Sequence, residues 1–444
     1  MLLLASVFFY SWGGPKFIFI ILATTTLDFY LVNFLYRSVK DTSRKLFLVL
    51  SLSLNLGLLF YFKYCNFFIE NINSIFYSFG LENIQWTKII LPIGISFYTF
   101  ESLTYVIDVY RRVHAPLKNF WDYQLYILFF PKLIAGPIVR YHEISDQLTQ
   151  RFSSHNVQLI FNGVFRFVIG LSKKVLIANV FAEVADEAYA LPTEALNSSA
   201  VWLGSLAYTF QIYFDFSGYS DMAIGLALIF GFKIPENFNN PYLSLSITDF
   251  WRRWHMTLGN WMRNYLYIPL GGNKVESKLR LYFNLWLVFL ISGFWHGAAW
   301  SFILWGVLHG LFLVFERMGL TKFYARIPVF INILFVFFII NFAWILFRAD
   351  TFQQALSFYS HLFDFSFGTV MFRMDEKRIL FFCFAFVLIW IWQNKNFARF
   401  QERILQTSTG DYLVIKSLLI LVLFFVSLVF VVASDYNPFI YFRF

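Results

Sequence analysis

Ser292-Gly293-Phe294-Trp295-His296-Gly297-Ala298-Ala299-Trp300 sets one imidazole among glycines, alanines and two tryptophans, between apolar runs at residues 281–291 and 302–315. A polar ring at membrane depth is costly unless it finds a partner or faces a wet cavity. His296 therefore has two readings, a packing residue with a satisfied hydrogen bond or a functional group. Residues 281–291 start at a basic cluster, Lys274, Lys278 and Arg280. At about 1.5 Å per helical residue they cover roughly half of a hydrocarbon core. The spacing predicts His296 near the bilayer middle, at the tip of a hairpin or on a kinked spanning path.

The rest of the composition agrees with a membrane setting. Of 444 residues, 59% are hydrophobic, 23% aromatic and only 14% charged, where a soluble domain carries roughly a quarter of charged residues. Apolar runs of about 20 residues recur from end to end, and no polar linker of useful length divides them. A single membrane-embedded domain over 1–444 is expected. The net charge of +9 sits in short loops between apolar runs, which is a topology signal rather than a nucleic-acid signal. Cys65 and Cys383 both lie in apolar segments, so neither a disulfide framework nor a Cys-rich metal site is supported.

Outward from the histidine, the chain reads as spans, half-spans and basic loops. Residues 1–12 and 17–36 flank Gly13-Gly14-Pro15, predicting a half-helix and a span; the opening run lacks the basic start of a cleavable signal. Arg37, Lys40, Arg44 and Lys45, then Arg111, Arg112 and Lys118, and later Lys395, Arg399 and Arg403 mark cytoplasmic loops. Residues 123–130 with Pro131-Lys132-Leu133-Ile134-Ala135-Gly136-Pro137 form a broken element too short to span, the kind that lines cavities. Residues 201–232 exceed a simple span and bury Asp215 and Asp221, which need partners or water. Between Lys233 and Arg280, Thr248 or Asp249 is expected to cap an amphipathic helix running to about Tyr267, with Trp251, Trp254 and Trp261 at an interface. In all, about ten to twelve membrane segments are expected, re-entrant and broken ones included.

The chemistry narrows to three histidines. His114, His142, His155 and His361 lie in polar loop contexts, leaving His255, His296 and His309. For His309, in an apolar helix, packing or hydrogen bonding is the favoured role. An imidazole near neutral pH can take a proton from a hydroxyl and return it to a leaving group. Acyl transfer to a hydroxyl from a thioester fits that capability, and Gly293, Gly297, Ala298 and Ala299 would let an extended chain approach the ring. The phosphate-loop, zinc-helix and nucleophile-elbow motifs are absent. Asp215 and Asp221, six apart, fall on different helix faces, so a paired-carboxylate site is poorly supported.

Tyr219-Ser220-Asp221-Met222-Ala223-Ile224-Gly225, Pro235-Glu236-Asn237-Phe238, Asp249-Phe250-Trp251-Arg252-Arg253-Trp254-His255, Tyr265-Leu266-Tyr267-Ile268-Pro269-Leu270-Gly271-Gly272 and Phe294-Trp295-His296-Gly297 together resemble the membrane-bound O-acyltransferase (MBOAT) family. They are most similar to its bacterial alginate O-acetylation-like branch. The likeness covers about residues 92–310 strongly and the C-terminal helices, 327–444, more loosely. It implies an all-α polytopic membrane protein, a funnel-shaped bundle around a central tunnel, with a further apolar stretch ahead of residues 3–12 in relatives. It implies His296 as the catalytic base and His255 as a second polar residue that orients or stabilises the reacting group. Trp251, Trp254, Trp295 and Asn260 then belong to the cavity, and Arg252 and Arg253 either meet a donor's phosphates or anchor their helix.

The resemblance further implies acetyl-CoA as donor, with no bound cofactor and no metal. An extracytoplasmic hydrolase-like partner and a cell-surface polysaccharide complete the picture, in a bacterial inner membrane. Two alternatives stay open: D-alanyl transfer to teichoic acid from a carrier protein, and a transporter or flippase without acyl chemistry. Against the last, the paired interruptions in corresponding halves that mark alternating-access transporters are not evident.

Overall fold

A computed structural model describes residues 1–149, 157–370, 374–391, 411–434 and 438–440. His155, the cluster Lys395, Arg399 and Arg403, and most of the terminal residues 437–444 lie outside the described residues. Among those described, every regular element is helical. Five helices are long and apolar enough to cross a membrane: Phe17–Arg37, Asp41–Ser78, Trp300–Tyr324, Val329–Arg348 and Tyr412–Ala433. The chain divides into two compact units, 1–155 with 231–235, and 156–230 with 236–444.

The first unit holds α1 (Leu2–Gly13), α2 (Phe17–Arg37), α3 (Asp41–Leu59), α4 (Cys65–Ser78), α5 (Ile95–Tyr110), α6 (Phe120–Leu128) and α7 (Tyr141–Thr149). The Gly13-Gly14-Pro15 break falls between α1 and α2, as expected, and a π-helical turn, Phe60–Tyr64, joins α3 to α4. Buried polar groups are paired inside the unit: Asp28 accepts from Ser51 and, at 3.1 Å, from the Tyr123 hydroxyl, and Lys132 meets Glu101. Lys132 belongs to the broken element after α6, where Leu133, Ala135, Ile138 and Val139 are buried. Protein thus covers backbone that lipid could not satisfy. His142 lies on α7 rather than in a loop, 2.9 Å from Asp108 and stacked on His114; both imidazoles are partly covered rather than fully at the surface.

The second unit is built on two helices in backbone contact. α8 (Val157–Ser172) continues through a π-helical turn, Lys173–Ala178, into α9 (Asn179–Tyr189); α10 (Ser198–Ile229) is one unbroken helix of 32 residues. A Cβ on Gly170 would sit 2.5 Å from the Gly218 carbonyl oxygen, and one on Gly163 would sit 2.6 Å from that of Gly225. Small residues at such contacts are how membrane helices approach closely. Beside this contact the charges of α10 are paired: Asp221 with Arg166 (2.6 Å) and Lys173 (2.7 Å), and Asp215 with Lys174 (2.5 Å). The carboxylates therefore have separate cationic partners, and no paired-carboxylate site forms.

α11 (Ile247–Arg253) and α12 (Met256–Trp261) replace the single helix expected from Thr248 to Tyr267. The cap is Ser246, whose hydroxyl accepts from Asp249 N–H at 2.9 Å while the Asp249 carboxylate reaches back to Leu245 N–H, a reciprocal capping arrangement. Glu316 satisfies three more donors there: Ile247 N–H, Thr248 N–H and the Thr248 hydroxyl. His255 interrupts the helix in a left-handed conformation, φ +44°, and a π-helical turn, Met262–Tyr267, follows α12.

α13 (Lys278–His296), α14 (Trp300–Phe315), α15 (Thr321–Tyr324), α16 (Val329–Arg348), α17 (Phe352–Phe363), α18 (Glu376–Ile391) and α19 (Asp411–Ala433) complete the unit. His361 lies on α17, not in a loop.

Replacing Gly170 by valine forces its side chain into the α10 backbone, and overpacking of this kind costs about 1–3 kcal/mol. The expected result is a lower melting temperature in detergent than wild type. Gly57→Ala, where nothing lies within 4 Å, should melt at or above wild type.

Candidate active site

α13 and α14 form the expected hairpin. Gly293 faces the Phe302 carbonyl, Gly306 the Phe289 carbonyl and Gly310 the Trp286 side chain and backbone, an antiparallel order of contacts that closes the two helices on each other. α13 runs unbroken for 19 residues and ends on His296. Gly297 and Ala299 are extended, so the reversal takes three residues before Trp300 begins α14. This corrects one expectation. The space beside Gly293 and Gly297 is filled by α14 itself, since a Cβ at Gly297 would meet the Phe302 ring at 2.2 Å; these glycines serve the helix contact rather than a ligand's approach.

The His296 ring is 4% exposed and sits among aromatic edges and faces. Its centroid is 4.9 Å from Trp295, 5.2 Å from Trp305 and 5.2 Å from Phe347 of α16. Phe347 also packs on Phe302, and Trp305 stacks on Trp344. These contacts hold the ring by sterics, in orientations where aromatic edges meet faces.

His255 is brought to the same indole from the other direction. Its ring lies 6.3 Å from Trp295 and edge-on to Phe216 of α10 at 4.7 Å. Its Nδ1 is 3.1 Å from the Asn237 amide oxygen. Trp295 thus touches both imidazoles singled out from the sequence, which are 41 positions apart in the chain.

The remaining candidates fall in different places. Trp251 packs on Phe289, Trp305 and His309, and its indole N–H donates to His309 Nδ1 at 3.3 Å. An indole only donates, so His309 accepts there, the hydrogen-bonding role expected of it. Trp254 is buried, stacks on Phe250 and packs at a tilt against Trp344. Arg253 pairs with Asp249 one turn back at 2.9 Å. Arg252 and Asn260 are exposed.

A cavity of about 1250 Å³ opens in the same unit. Its lining includes the polar side chains of Arg166, Lys173, Ser217, Asp221, Glu236 and Asn237, and apolar side chains of α18 and α19 such as Phe381, Phe384, Leu419 and Phe430. Asn237 and Met256, which line it, are respectively the hydrogen-bond partner and the chain neighbour of His255. Neither His255 nor His296 is part of that lining. Asn237 belongs to the Pro235–Phe238 motif, whose local pattern carries no signal for its part here. Trp305 and Phe347 carried no signal, being ordinary aromatics in apolar helices.

Comparison with known proteins assigns the chain. The model of the membrane-bound O-acyltransferase family matches residues 31–361. A probable alginate O-acetylase of Azotobacter vinelandii is 37% identical, covering 100% of this chain and 94% of the relative. A peptidoglycan O-acetyltransferase of Helicobacter pylori is 41% identical over 80% of this chain and 72% of its own length. A teichoic acid D-alanyltransferase of Bacillus subtilis is more distant, 30% identical over 53% of this chain and 62% of its own. The alternative of a transporter without acyl chemistry is answered in favour of an enzyme. With its apolar helices and its histidine-bearing hairpin, the chain belongs to the membrane-bound O-acyltransferase family.

Proposed function

We propose that this O-acyltransferase takes an acetyl group from the thioester of cytosolic acetyl-CoA and delivers it towards hydroxyls of an extracytoplasmic polysaccharide, alginate-like or another cell-surface glycan. A separate hydrolase-like protein on the outer side completes the transfer, and the chain resides in a bacterial inner membrane. The observation that carries the reading is the convergence of His296 and His255 on Trp295, in a chain whose full length is matched by an O-acetylase.

In the proposed step His296 is the base. It removes the proton of an acceptor hydroxyl as the oxygen attacks the thioester carbonyl carbon; the new C–O bond forms, the C–S bond breaks, and the imidazolium returns the proton to the departing sulfur. The aromatic enclosure of the ring supports this role by fixing its orientation and excluding water, which would otherwise compete for the acyl group. Trp251, Trp254 and Trp295 shape the surroundings of the two imidazoles. Arg253, already paired with Asp249, anchors its helix, and contact with the donor's phosphates falls to exposed Arg252. The cavity offers room for the amide-bearing arm of the donor, with Ser217 as a hydrogen-bonding group in its lining.

His296→Ala is expected to lower acetyl transfer at least 100-fold, the scale of a lost general base, with unchanged abundance in the membrane fraction. Retained transfer would refute the assignment. Membranes supplied with radiolabelled acetyl-CoA should pass label to the polysaccharide fraction. Label that moves only from an acylated carrier protein, with none from acetyl-CoA, would transfer the reading to the D-alanyl branch.

A further inference from the structure

Asn237 is fully buried, and each end of its side chain is engaged. The amide oxygen faces three groups: Thr257 N–H at 3.3 Å, the Thr257 hydroxyl at 2.9 Å and His255 Nδ1 at 3.1 Å. The amide nitrogen donates to the Ser220 hydroxyl of α10 at 3.1 Å, and the Asn237 carbonyl accepts from Met256 N–H at 2.9 Å. A backbone N–H can only donate, so the Thr257 contact identifies the facing atom as oxygen rather than nitrogen. Any ring nitrogen bonded to that oxygen must carry a hydrogen. Neutral His255 is therefore the Nδ1–H tautomer, and its Nε2 presents a lone pair.

We infer that Asn237 is a positioning residue for acyl transfer: by holding Nδ1–H it commits His255 Nε2 to accept a proton or hydrogen bond rather than to donate one. This rests on the acyl-transfer reading of the His255–His296 pair. The consequence separates two roles that the motif alone leaves together. A group that stabilises the oxygen of a tetrahedral intermediate must donate, which this tautomer of Nε2 does not do. His255 thus serves the hydroxyl side of the reaction, accepting a hydrogen bond that orients the nucleophile whose proton His296 removes, while the carbonyl oxygen is stabilised by other groups. The same amide ties α10 to the left-handed residue at which α11 gives way to α12, so it sets both where the ring stands and which nitrogen is protonated. An amide does this without placing a charge in a buried site.

The test uses the full chain, ¹⁵N-labelled on histidine, in nanodiscs, with the His255 signals identified by their loss in His255→Gln. The wild type should show protonated Nδ1 and unprotonated Nε2; a protonated Nε2 at His255 overturns the inference regardless of activity. With radiolabelled acetyl-CoA as donor probe, Asn237→Leu should lower kcat about 10- to 100-fold, as loss of a histidine's orienting partner does, with little change in KM, and should release the tautomer. Asn237→Asp keeps the accepting oxygen but loses the donor to Ser220, and should recover to within about tenfold of wild type with the tautomer preserved. If Asn237 only ties the loop to α10, the aspartate variant will be as impaired as the leucine one and the tautomer will not follow the substitutions. That outcome also overturns the inference. Transfer retained in His296→Ala would instead sink the acyl-transfer reading, while the wild-type spectrum still decides the tautomer.

Discussion

The backbone contact between α8 and α10 is the constraint on which the second unit depends. Glycines at 163 and 170 face glycines at 225 and 218, each pair seven residues apart, so the two helices touch without side chains between them. That approach lets Arg166, Lys173 and Lys174 reach Asp221 and Asp215. Inside a bilayer an unpaired carboxylate is expensive, and a side chain at either glycine pair would push cation and anion apart. Helix packing and charge pairing are here one event.

From α10 the order passes to the site. Ser220, one residue before Asp221, receives the Asn237 amide, and Asn237 receives His255. Phe216, one turn earlier, lies against the His255 ring. The imidazole is thus referenced to the helix that carries the paired charges. His296 is held differently, by the glycine-closed α13–α14 hairpin and a shell of Trp295, Trp305 and Phe347. A hydrogen bond to Asn237 orients the first imidazole, and aromatic packing encloses the second. A reaction that moves a proton between groups at fixed distance needs both kinds of restraint.

Much of this was legible residue by residue. His296 stands out because an imidazole in apolar surroundings is costly, His255 is marked by the family resemblance, and both contact the same indole. The hairpin around Gly297, the break at Gly13-Gly14-Pro15 and the need of Asp215 and Asp221 for partners were also readable. Other features were not. The partners of the two carboxylates come from 41 to 55 positions earlier, and local pattern says nothing about which cation arrives. Ser246 rather than Thr248 or Asp249 caps α11, because capping depends on where the backbone turns. The space beside Gly293 and Gly297 was read as room for a ligand, yet a glycine makes room for whatever packs there, and here that is Phe302.

By itself the sequence determined that this chain lives in a membrane, that its helices are apolar and often interrupted, and that its motifs resemble those of an acyltransferase family. Those properties follow from composition, from apolar length and from short strings of residue types, all of which are local. Only the tertiary structure decided which buried groups meet: that Trp295 contacts both imidazoles, that α14 occupies the glycine faces of α13, and that Asn237 selects the protonated nitrogen of His255. Burial and hydrogen-bond pairing are satisfied between segments far apart in the chain, so they exist only once the helices have packed.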